Sequence, residues 1–182
     1  MCNWKRLLTL IVLFNYSSLS YALDVELFNK LANDTIKQMN MGVVGDIDEL
    51  IAKQEQLMIV GLEGGIEYLQ TGIKDPKPLM LVLENAEKMK SLTLDEIEDL
   101  WHGGNFLKSK GIDPDKIDHF GPMMSLMDSV IHPATAYLLI KEYKQTGDTD
   151  LLVRVKAELF EVLEHVKHIN DENPDSQLSL NE

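Results

Sequence analysis

Apolar residues recur three and four positions apart along most of the chain, which gathers them on one face of an α-helix. Asp24 stands as an N-cap before a helix reaching about Met39, with Leu27, Phe28, Leu31, Thr35 and Met39 on its inner face. Met41-Gly42-Val43-Val44-Gly45 interrupts that pattern, and Asp46 opens a second, longer helix. There Ile47, Leu50, Ile51, Gln54, Leu57, Met58, Gly61, Leu62, Gly65, Ile66 and Leu69 keep the spacing, and Gly72 is placed for a left-handed stop. Pro76 and Pro78 stiffen the next turn, and Pro78 begins a third helix with Leu79, Val82, Leu83, Ala86 and Met89 inward.

Thr93-Leu94-Asp95-Glu96 has the form of a capping box and predicts a short fourth helix through Trp101. A fifth starts at Met123 or Pro133 and ends near Gly147. The last is capped by Asp148 or Thr149 and runs to His168, with Leu152, Val155, Leu159, Val162, Leu163 and Val166 inward. No alternating strand pattern or fixed-period repeat competes with this reading. The predicted fold class is all-α: a single-domain bundle of five or six helices over 23–169, with a flexible tail at 170–182.

The first 22 residues carry a different signal. Lys5 and Arg6 precede a short apolar run at 7–14, and Ser20-Tyr21-Ala22 offers small residues at the positions that signal peptidase reads. A run of eight is far short of the roughly 20 apolar residues needed to span a bilayer. A cleaved signal peptide at 1–22, with a periplasmic or secreted product, is therefore expected. Cleavage removes Cys2, the sole cysteine, and with it any disulfide, thiolate nucleophile or zinc–thiolate site.

Charge narrows the partners. The whole chain carries −13, and loss of Lys5 and Arg6 makes it −15. Such acidity argues against nucleic acid and an anionic membrane surface, as the short apolar run argues against stable membrane insertion, and it steers the protein toward a basic protein partner or a small ligand.

Two stretches stand apart from scaffold. Gly61, Gly64 and Gly65 lie inside the second helix, where glycine costs about 1 kcal/mol against alanine, so close approach of a neighbouring helix is expected there. Residues 101–136 are rich in glycine and proline and hold three of the five histidines, which makes them the expected site region. The candidate ligand-binding residues are Trp101, His102, His119, Asp128 and His132. Asp128 and His132 sit four apart on one helical face, where the carboxylate can fix the imidazole tautomer.

His119 and His132 with Met123, Met124 and Met127 form a candidate metal set, suited to copper or zinc, and a His-plus-Met pair also admits haem. Met39 and Met41 extend the thioether spacing. Against this, methionine is a common core filler. Glu161, His165 and His168 share one side of the last helix, but a solvated helix end explains them as well.

The chain contains no Glu-x-x-His, HExxH, G-x-S-x-G or phosphate-binding loop, and residues 113–118 lack the glycine and closing glutamate of a calcium loop. Three functions follow, in order. The first is an acidic binding or accessory module working through 101–136. The second is a metal- or haem-binding protein using His119, His132 and the methionines. The third is an enzyme with an Asp128/His132 acid–base pair, for which no nucleophile is identifiable.

Overall fold

The computed structural model describes residues 23–40 and 46–171, and these form an all-helical bundle. Its α-helices are α1 (Val25–Asn40), α2 (Ile47–Leu69), α3 (Lys77–Met89), α4 (Leu94–Ile97), α5 (Asn105–Ser109), α6 (Pro122–Thr146) and α7 (Asp150–Asp171). A π-helical turn, Glu98–His102, continues α4, and a 3₁₀ turn, Pro114–Lys116, precedes α6. The expected five or six helices thus become seven among the described residues, because the stretch between α3 and α6 folds into several short pieces. The signal segment 1–22, Met41 and residues 172–182 lie outside the described residues. Helix α7 extends through 170 and 171, the first two positions of the expected tail.

The starts follow from the caps. Asp24 accepts from the Leu27 amide at 2.9 Å, and Asp46 accepts from the Asp48 amide at 2.9 Å. Thr93 and Glu96 close both halves of the capping box at the head of α4. The stops fit less closely. Helix α2 ends at Leu69, three residues before Gly72, whose φ of +76° is left-handed as expected.

Helix α6 is the axis. From Ser125 to Ala136 every residue is buried, so it has no polar face for periodicity to reveal. Among the described residues it is the one helix long and apolar enough to cross a membrane, and 83% of that apolar window is buried in the bundle. It runs unbroken through Pro133, contrary to a restart there. Proline has no N–H to return to the Ser129 carbonyl, so that carbonyl is free to face outward from the helix.

Gly61 meets it. A Cβ at Gly61 would lie 2.5 Å from the Ser129 carbonyl oxygen and 2.7 Å from its hydroxyl, so only glycine lets α2 and α6 come this close. The first helix buries Phe28, Thr35 and Met39 as expected, but its inner face is shifted to take in Ala32 and Ile36, and Leu27 is 41% exposed.

Candidate functional site

The site lies between α6, α7 and the irregular stretch at 98–119. Its wall begins with the π turn, closed by the Gly103 amide donating to the Glu98 carbonyl at 2.8 Å. The wider turn buries Trp101, whose ring packs on Phe106 at 4.5 Å, and delivers His102 toward α6. Gly104 then takes φ +70° as the cap of α5, with Pro114 against it so closely that a Cβ would lie 2.6 Å from the proline ring. Turns of the π type are rare and concentrate at functional sites.

Behind this wall is a cavity of about 410 Å³, whose lining includes Trp101, His102, His119, Asp128, His132, Glu161 and His165. Two networks of imidazole and carboxylate run along its floor. In the first, Glu158 Oε2 accepts from His132 Nδ1 at 2.8 Å and lies 3.6 Å from His102 Nε2. The Thr135 hydroxyl donates to the Ile131 carbonyl at 3.1 Å, so its oxygen is left to accept from His102 Nε2 at 2.9 Å. In the second, Asp128 Oδ2 accepts from His165 Nδ1, and Asp128 Oδ1 lies 4.0 Å from His132 Nε2. His132 therefore faces a carboxylate from each of its ring nitrogens.

Burial opposes charge on His132, which is 3% exposed. The Glu158 hydrogen bond and the charges of Asp128, Glu158 and Glu161 outweigh that, and hold its pKa above the ordinary histidine value of 6.5.

One donor atom from each of Asp128, His132 and His165 lies within 4.8 Å of the other two, and the same is true of His102, His132 and Glu158. Two donors on one zinc-sized ion, each about 2.1 Å from it, stand at most about 4.2 Å apart, so small side-chain adjustments close either group around a cation. His132 has Nδ1 on Glu158, outside the Asp128 group, the partnership that orients metal-binding imidazoles elsewhere, whereas the His165 contact is with Asp128 itself.

The structure brings together most of the residues singled out from sequence, along with others that were not. Trp101 and His102 form the wall, and Asp128 and His132 the floor. Met124 and Met127 line the same cavity, so thioethers and imidazoles share it. Met123 does not; it lines a neighbouring groove with Tyr68 and Pro78. His119 is exposed at the rim, edge-on to the His165 ring at 4.8 Å, and belongs to neither donor group.

Asp128 sits closer to His165 than to His132, whose nearer partner is Glu158. The site is also not confined to 101–136, since α7 supplies Glu158, Glu161 and His165. His165 is 7% exposed, contrary to a solvated helix end. His168 instead packs its ring on Phe120 at 5.2 Å. A signal was present: Glu158 stands three residues after Val155 and His165 three after Val162, at the edge of the inward stripe of α7.

No protein family matches the chain, and no curated protein or solved structure is found to be similar to it.

Proposed function

We propose that this protein binds a divalent transition-metal ion, zinc or copper, through Asp128, His132 and His165, and presents it to a small ligand in the adjoining cavity. One observation carries the reading. Donors from two packed helices converge on the buried floor of a cavity, and His132 is already oriented by Glu158, which lies outside that donor set. Imidazole with carboxylate suits Zn²⁺ or Cu²⁺, and a site with three protein ligands beside an accessible cavity leaves coordination positions open. Haem fits less well, because the groups nearest each imidazole are carboxylates rather than an apolar slot. A partner drawn by charge alone would need none of this buried machinery.

The test is metal analysis of protein purified without a histidine tag, followed by calorimetric titration with Zn²⁺ and Cu²⁺. At least one equivalent is expected, with His132→Ala and His165→Ala each weakening binding by 100-fold or more. Wild-type affinity no better than that of His132→Ala would overturn the reading.

We infer also that the protein works in the periplasm or outside the cell. Lys5-Arg6, the apolar run at 7–14 and Ser20-Tyr21-Ala22 support this. N-terminal sequencing of the protein from an expressing cell should begin at Leu23, and an intact Met1 would refute export by cleavage.

A further inference from the structure

We propose that the site takes a second divalent cation at His102, His132 and Glu158, with His132 bridging the two ions through its two ring nitrogens. This rests on the metal reading above and extends it. The two donor groups are not separate clusters but meet in one side chain: Nδ1 of His132 belongs to the Glu158 side and Nε2 to the Asp128 side.

The second group is built with as much care as the first. Glu158 Oε2 already lies 2.8 Å from one imidazole nitrogen and 3.6 Å from another, close to the spacing of about 3.4 Å between neighbouring donors on a tetrahedral zinc. His102 is delivered to that position by a π turn, a rare form that is frequent at functional sites. Its ring lies against that of His132 with centroids 5.0 Å apart, and Thr135 holds its Nε2 on the same side as Glu158.

Charge supports two ions rather than one. Asp128, Glu158 and Glu161 surround His132 with three negative charges, so a single divalent ion leaves the site negative. The second ion takes the place of the proton on His132 Nδ1, which leaves to solvent and converts the ring to a bridging imidazolate. His102 enters with its proton on Nδ1, freeing Nε2 for the ion. Three carboxylates and one imidazolate then balance two divalent cations.

The experiment counts ions in tag-free protein loaded with Cu²⁺ or Zn²⁺, by native mass spectrometry and elemental analysis at pH 8. Wild type should hold two per chain, and His102→Ala and His165→Ala one each, with far-UV circular dichroism confirming that the variants remain helical. In the Cu²⁺ form, the wild-type paramagnetic resonance signal should be depleted by coupling between the ions, and His102→Ala should restore the full signal of an isolated centre. One ion in wild type overturns the second position while leaving the first intact. Two ions retained in His102→Ala overturn it as well. No ion in wild type removes the metal reading and this one together.

Discussion

Ser129 and Asp128 are neighbours on α6, yet they face seams built on opposite terms. On the Ser129 side, α2 approaches until Gly61 touches backbone, and nothing larger than a hydrogen fits between the helices. On the Asp128 side, the π turn and the stretch that follows it stand off far enough to leave a cavity of about 410 Å³ lined by imidazoles and carboxylates. A dry, close seam fixes the helix axis. The open corner can then keep charged groups at set distances while apolar residues such as Val155, Leu159 and Val162 hold α7 in the core. The difference teaches that α6 is a scaffold on one face and carries buried carboxylate and imidazole on the next.

If that division is real, substitutions on the two sides should separate. The largest effect is expected from Glu158→Gln, which keeps the shape but weakens the hold on His132 Nδ1. Metal affinity should fall by about 10- to 100-fold, the usual consequence of losing a residue that orients a ligand, as read by calorimetry. Above the raised His132 pKa, where the ring is neutral, the melting temperature of the metal-free protein should change little. Unaltered affinity would mean that His132 is positioned by packing alone.

Gly61→Ala is the converse. The added methyl meets backbone, and overpacking of this kind costs about 1–3 kcal/mol. Thermal unfolding should shift down by about 2–4 °C for each kcal/mol in a chain of this size, with metal affinity unchanged. Loss of metal binding at an unchanged melting temperature would erase the distinction between the seams.

A third effect appears with pH. Because His132 has a raised pKa in the folded state, its contribution to stability is fully present below the unfolded value of 6.5 and is lost as pH rises through the folded value. The metal-free protein should therefore lose stability over that rise while metal affinity grows, since the ion competes with the ring proton. Denaturant midpoints measured across the range for wild type and His132→Gln test this. The His132-dependent part should vanish in the variant.

The smallest change is expected from Gln54→Leu on the packed side of the molecule. Gln54 is fully buried and its Oε1 has no partner among the described residues, while its amide makes two long contacts of 3.4 Å there. Replacing it should alter stability by about 1 kcal/mol or less, toward greater stability. A large loss would show that the amide holds α1 to α2.

The sequence disclosed the scaffold well where local chemistry governs it. The caps at Asp24, Asp46 and Thr93 hold as expected, and Leu50, Leu57, Met58 and Gly61 keep the predicted inner face of α2. It misled where burial is tertiary. Helix α6 is covered on all sides, so no moment marks its bounds, and Pro133 looked like a break although α2 accommodates the carbonyl it displaces.

The site was half visible. Asp128 and His132 are paired by helical spacing, which sequence displays. Their actual partners, His165 and Glu158, lie 37 and 26 residues away, and only the packing of α7 on α6 reveals them. The π turn at His102 left no distinctive local signature, because its residues are ordinary helix formers.

A π turn holds one residue more than an α turn needs. Removing a single residue from Glu98–His102 would take away that surplus and let regular winding resume, drawing His102 off its present place on the wall. A one-codon surplus is thus what separates a plain connector from an imidazole on the cavity wall.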